Sequence, residues 1–314
     1  MEIRDVFFGE LYRMLEGGED LVVVTADLVG GQYLNRIKSD FPDSFLSVGI
    51  AEQNLIMVAA GLAMQGKKAV CWGMNPFIVS RTLDQIDNTI SLMHLPVTIV
   101  GFHAGLSFAA TGPSHAGTRD ISRIRTCDYM KCINPMDYNS VREAVNCSMR
   151  QEQGLYIRLD KDITWETVAP DSTVEMGKGV QVVHRGSSPL AVVTSGLHVK
   201  MVLDLLEDLK SQNVDPTIVA ILTFPFDEAA LIKCLDRCET VITVEEMILQ
   251  GGMSSSVLES FAAHGVLKNV HRMGIDTRDG HPSFYGKRAD LQEYLRLDKE
   301  HILETVLKLA RADS

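Results

Sequence analysis

No stretch of this 314-residue sequence is apolar enough to cross a membrane: the longest apolar run, Leu55 to Met64, is about half of the roughly 20 residues a spanning helix needs. A secretory leader is lacking too. Met1 is followed by Glu2-Ile3-Arg4-Asp5, with neither an apolar core nor a small-residue cleavage site, so a cytoplasmic protein is expected. Basic residues are outnumbered, 30 against 41 acidic, for a net charge of -11. Nonspecific affinity for polyanions comes from clustered Lys and Arg, so neither nucleic acid nor an anionic membrane is an expected partner. The six cysteines include no Cys-x-x-Cys pair. Cys234 and Cys238 stand four apart, but no histidine or second pair accompanies them, so no metal site is expected and the thiols read as reduced and packed.

What the sequence does contain is alternation. Ile3, Val6, Phe7, Leu11, Met14 and Leu15 follow helical spacing and Gly17-Gly18 stops them. Leu21 to Ala26 is a β-branched run ending at Asp27 and, after a short loop, Gly30-Gly31; it reads as a buried parallel strand with a loop at its carboxyl end. Further strands are predicted at Phe45–Val48, Lys68–Trp72, Pro96–Phe102, Met130–Pro135 and Leu155–Leu159. A helix is expected from Glu52, another from about Pro76 to Met93, and a third capped by Asp137. The pattern lapses between about Lys161 and Lys178, then resumes with strands at 190–194, 217–222 and 240–244 and helices near 198–211, 227–237, 252–264 and 299–311. The fold class expected is α/β, with two open, mainly parallel-sheet domains: 1–165, a linker at 166–185, and 186–314.

Ligands of open α/β sheets bind outside the carboxyl ends of the strands. Two features fall there. Glu52 lies between a short strand and an unusually apolar helix. A long loop, residues 102–117, is rich in glycine and small residues and carries His103 and His115.

Gly49-Ile50-Ala51-Glu52-Gln53-Asn54, Pro76-Phe77 with Asp84-Gln85-Ile86, Pro96-Val97, His103-Ala104-Gly105, Gly112-Pro113-Ser114-His115 and Tyr156-Ile157-Arg158-Leu159 together resemble, in order and spacing, the thiamine-diphosphate enzymes of the transketolase type. The resemblance covers the pyrimidine-binding domain and continues into the C-terminal domain at Val244-Glu245-Glu246 and Gly251-Gly252. The Gly-Asp-Gly stretch and following Asn by which the family's other domain binds diphosphate through Mg²⁺ do not occur. The chain therefore resembles the C-terminal (β) subunit of a split transketolase. The resemblance implies a partner α subunit that supplies the diphosphate site and Mg²⁺, and an α₂β₂ assembly.

It also implies roles for individual residues. Glu52 matches the glutamate that activates thiamine; read alone, it is better taken as an acid complementing a helix N-terminus. Phe77 matches the aromatic on which the pyrimidine stacks, or is a core phenylalanine. Asp27 lies where family members approach the cofactor, or is turn chemistry. His103 and His115 match two histidines lining the substrate channel, where the alternative is solvated loop residues. Arg4 and Lys161 match positions of phosphate-binding arginines, or are solubilising charges. Gly251-Gly252 is either an anion site at a helix N-terminus or a point of close backbone packing.

Three departures concern the substrate. Thr111 stands where the family has the Asp of an Asp-Gly-Pro stretch, Gly31 near a usual Ser of the phosphate site, and Lys161 in place of Arg. The function expected is transfer of a two-carbon ketol unit from a ketose, phosphorylated or otherwise anionic, to an aldehyde, in complex with the partner chain. The rivals are a decarboxylating subunit of a 2-oxoacid dehydrogenase, a deoxyxylulose-phosphate synthase, and, in another class, a noncatalytic scaffold or regulatory subunit.

Overall fold

A computed structural model describes residues 1–28, 30–168, 174, 176–278 and 285–312. Part of the expected linker, residues 169–173 and 175, lies outside the described residues. The chain runs α1 (Ile3–Glu16), β1 (Leu21–Thr25), α2 (Gly31–Asp40), β2 (Phe45–Ser47), α3 (Glu52–Met64), β3 (Lys68–Met74), α4 (Asn75–Ser80), α5 (Leu83–Gln85), β4 (Thr98–Phe102), α6 (Asp120–Ile124), β5 (Met130–Ile133), α7 (Tyr138–Arg150) and β6 (Gly154–Leu159). It continues with β7 (Val180–His184), β8 (Leu190–Thr194), α8 (Leu197–Leu203), α9 (Leu206–Ser211), β9 (Thr217–Ile221), β10 (Thr223–Phe224), α10 (Glu228–Cys234), β11 (Thr240–Ile248), α11 (Met253–Ala263), β12 (Asn269–Ile275), α12 (Arg288–Tyr294) and α13 (Lys299–Ala312). Among the described residues no helix is long and apolar enough to cross a membrane.

The strands form two sheets, ordered β10-β5-β6-β4-β3-β1-β2 and β12-β11-β8-β9-β7. All pairings are parallel except β10 with β5 and β7 with β9, one at an edge of each sheet. The expected α/β class with mainly parallel sheets is thus what the chain adopts.

Burial on both faces explains the continuous apolar strands: all five residues of β1 are buried. Leu21 and Val23 join Phe7, Phe8, Leu11 and Trp72 in one core, while Val22 and Val24 join Leu55, Ile56 and Cys71 in another, because successive strand residues point to opposite faces. The second of these cores extends into the other sheet through Val193, Val241 and Met253.

Asp137 caps α7 as its position predicts, accepting from the Ser140 N–H at 2.7 Å while the Ser140 hydroxyl receives the Asp137 N–H at 3.0 Å. The single helix expected over 76–93 is instead broken: α4 ends at Ser80, α5 is one turn, and residues 86–91 form a π-helical turn. The Thr82 hydroxyl donates back to the Ile78 carbonyl, a bond that competes with regular helix geometry. The helix expected over 198–211 likewise divides into α8 and α9.

Candidate active site

Parallel strands deliver the segments after β1, β2, β3, β4 and β6 to one edge of the first sheet, and the expected site residues other than Arg4, which lies on α1, ride on those loops or on the helices they lead into. Glu52, the first residue of α3, is 8% exposed. Its two carboxylate oxygens accept from Arg81 Nη1 at 3.2 and 3.1 Å. The Arg81 guanidinium in turn lies over the Phe77 ring, its Cζ 3.9 Å from the centroid. Arg81 is four residues past Phe77, which brings the two together on one side of the helical segment.

From Phe77 a run of rings crosses the site. Phe77 meets the His115 ring edge-on at 5.0 Å, His115 lies 5.9 Å from Phe108, Phe108 4.4 Å from His103, and His103 4.2 Å from Phe102. Arg4 closes the run, its Cζ 5.6 Å from the Phe102 centroid. One continuous chain of side-chain contacts therefore joins Glu52 to Arg4 through both histidines, its Phe102 link lying in the core.

His103 adopts a φ of 67°. Its Nδ1 is buried without a hydrogen-bond partner among the described residues. Burial, reinforced by the Lys161 ammonium, pushes its imidazole down to about 4, so the ring is neutral near pH 7. A neutral imidazole with an unmet polar atom suits a hydroxyl group more than an anion. His115 is oriented by Ser114, whose hydroxyl lies 3.0 Å from His115 Nδ1.

Gly31 lies beside Arg4. It holds a φ of +81°, and a Cβ there would stand 2.6 Å from Asp5 Oδ1 and 3.3 Å from Arg4 Nε. The Asp5 carboxylate, which accepts the Gln32 N–H at 2.9 Å, fills the space a serine would need. Lys161 is exposed after β6 and its charge reaches His103. Thr111 is exposed in the turn Ala109–Thr111, between the two histidines in sequence. Asp27 is exposed in the turn after β1 at a φ of 63°, a conformation Asp tolerates, and no contact among the described residues joins it to the ring run.

Beneath the rings is a buried polar group of which the sequence motifs included Tyr156 and Arg158 but missed Asn75 and Asp120. Asn75 Nδ2 donates to Asp120 Oδ2 (2.6 Å) and Tyr156 Oη (2.7 Å), and Arg158 Nε donates to the same Asp120 oxygen (2.8 Å). Arg158 Nη2 also reaches the Gly117 carbonyl at 3.1 Å. These bonds tie α4, which carries Phe77, to the end of the histidine loop. At Gly251-Gly252 the close-packing reading holds. A Cβ on Gly252 would collide with Ile248 O and Glu245 Oε2, and the N–H groups of Met253 and Ser254 are already taken by Glu245 at 2.7 and 2.9 Å.

The site fits an aminopyrimidine. Arg81 places a flat, nitrogen-rich group on Phe77 while donating to Glu52, the same pair of contacts such a ring would make.

Comparison with known proteins agrees. Residues 1–164 match the family model of the transketolase pyrimidine-binding domain, and residues 179–302 that of the transketolase C-terminal domain. A Methanocaldococcus jannaschii protein named as a transketolase C-terminal section is 32% identical over 294 residues, covering 92% of this chain and 90% of its own. An apulose-4-phosphate transketolase subunit from Actinobacillus succinogenes is 30% identical over 296 residues, covering 94% of each. A solved split-gene transketolase, described as an inactive β4 tetramer, superposes with a TM-score of 0.84 at 26% identity, covering 98% of this chain and 97% of that one.

Proposed function

The chain belongs to the transketolase family, as a β subunit of the split type, and from that premise we propose that it moves a two-carbon ketol unit from an anionic ketose to an aldehyde together with an α chain. Thiamine diphosphate, when bound, supplies the nucleophilic carbon and the electron sink for carbon–carbon cleavage. Glu52 and Phe77 would hold its pyrimidine end: the carboxylate would orient the ring and hold a proton at its own oxygen, and the phenylalanine would give a stacking face. Asp27 approaches the same end. The α chain holds the diphosphate and Mg²⁺, and the assembly is α₂β₂.

His103 and His115 line the substrate channel, where the neutral His103 imidazole binds hydroxyl groups and the two rings exchange protons with them. Thr111 borders that channel. Arg4 and Lys161, with Gly31 between strand and helix, receive the anionic end of the sugar. We place the division between the two domains within residues 166–179, short of the expected 185 because β7, from Val180, already belongs to the second sheet.

The observation that carries this reading is the unbroken run from Glu52 through Phe77, His115 and His103 to Arg4. An exposed apolar surface supports a partner: Ile50, Met57 and Met64 are 77, 48 and 59% exposed on and beside α3, as are Leu92 and Met93 at 57 and 48%. The inactive state of the β4 neighbour accords with a chain that needs its α subunit.

The test is to purify the complex from its host, identify the co-purifying chain, and screen ketose donors against aldehyde acceptors. Ketol transfer by the pair and none by the isolated chain is expected. Carbon dioxide release from a 2-oxoacid, or turnover by the chain alone, would overturn the reading.

A further inference from the structure

Arg288, the first residue of α12, belongs to the second half of the chain but is buried against the substrate end of the first. Its guanidinium gathers three carboxylates. Nη1 donates to Asp160 Oδ1 at 2.8 Å and Asp162 Oδ2 at 2.7 Å. Nη2 donates to Asp160 Oδ2 at 2.6 Å and Glu246 Oε2 at 2.7 Å, and Nε to Glu246 Oε1 at 3.0 Å. The side chains of Arg288, Asp160 and Glu246 are 12, 3 and 2% exposed.

Each of the two buried acids holds a piece of the substrate end. Asp160 immediately precedes Lys161. Glu246 Oε2 accepts the Leu106 N–H at 2.8 Å, three residues after His103, while Gln292 Nε2 fixes the other oxygen at 2.6 Å. Gly105, at a φ of +60°, comes so close that a Cβ there would collide with Glu246 Oε2. The loop and the strand end also touch directly, the Ala104 N–H donating to the Leu159 carbonyl at 3.1 Å. Only a planar, multiply donating cation can satisfy both acids at once, and removing it would leave buried negative charge unpaired on both elements.

From this geometry we infer that Arg288 is a positioning residue: from the second sheet's domain it sets the spacing between the loop bearing His103 and the strand end bearing Lys161. The substrate channel is then shaped by both halves of the chain. The inference rests on the reading of His103 and Lys161 as substrate-facing.

The experiment compares the wild type with Arg288→Lys, Arg288→Gln, Glu246→Gln and Arg125→Gln. The last cuts a different ion pair between the halves, Arg125 Nη1 with Glu259 Oε1 at 3.2 Å. Amide exchange is followed on the full chain, and kinetics and thiamine diphosphate affinity on the complex with the α subunit. Arg288→Gln should speed exchange of the Ala104 and Leu106 amides about tenfold or more and raise the KM for the ketose donor about tenfold, with kcat within about twofold and cofactor affinity unchanged. Arg288→Lys should restore part of both, and Arg125→Gln should alter neither. If Arg288→Gln does not fold, Glu246→Gln reads the same two quantities. A loss of melting temperature alone, with exchange and KM as in Arg125→Gln, overturns the inference. If the wild-type complex turns over no ketose, the functional reading fails, and the exchange rates alone decide whether Arg288 holds the loop.

Discussion

The two ends of the site are built differently. The proposed cofactor end, Glu52 with Phe77, sits on first turns of helices behind strands β2 and β3, and a single side chain, Arg81, bridges it. The proposed substrate end combines helix residues, Arg4 of α1 and Gly31 of α2, with the strand-end segments of His103 and Lys161, and these last two are braced by Arg288, 128 residues away from Asp160. Rigid elements preserve one chemistry; braced loops can be retuned. Of the three departures, Thr111 and Lys161 fall on the braced elements, while Gly31 opens α2 beside Arg4.

Four changes separate the ends, in falling order of expected effect. Phe77→Ala should weaken thiamine diphosphate binding to the complex about 30-fold, equivalent to roughly 2 kcal/mol, without moving the donor KM; calorimetric titration reads it, and equal losses at both ends would erase the distinction. Gly31→Ala forces a side chain into left-handed backbone against Asp5, and should cost about 1 kcal/mol in urea unfolding. An unchanged midpoint would mean that this turn relaxes freely. Arg81→Met removes the group that stands on the pyrimidine seat, so cofactor should bind about threefold more tightly, since a competing conformer no longer holds the site. Weaker binding would make Arg81 a ligand of the cofactor instead.

The smallest effect concerns His103. Lys161→Gln removes one cause of its lowered pKa but not burial, the larger one, so the value read by NMR titration should rise from about 4 and stay below 6.5. The sign matters for stability as well. With a folded pKa below the ordinary value, the unfolded chain takes up this proton first as pH falls, so the contribution of His103 is lost between pH 6.5 and about 4. A value at 6.5 in the variant would show that the ring is solvated.

Much of this was legible in the sequence because the signals are local. Buried parallel strands read as continuous Val and Ile runs, Asp137 announced its helix, and the ordered motifs singled out Glu52, Phe77, His103 and His115. The edge strands β7, β10 and β12 escaped notice: β7 pairs antiparallel, β10 is two residues long and pairs across to the other sheet, and β12 is largely exposed or half-buried rather than a continuous apolar run. The break after Ser80 was hidden because Thr82 acts through a backbone carbonyl rather than through periodicity. Arg81 could have been found from its spacing to Phe77. Arg288 could not: an ion pair spanning 128 residues leaves no pattern in the residues around either partner.

Everything proposed for the cofactor end depends on Glu52 activating a cofactor held by its pyrimidine ring. Ketol transfer by the α-subunit complex of Glu52→Gln, with cofactor occupancy measured in the same sample, decides whether it does. Bound thiamine diphosphate and transfer reduced by about 100-fold or more are expected. Transfer at the wild-type rate would contradict that role and return Glu52 to an acid at a helix N-terminus.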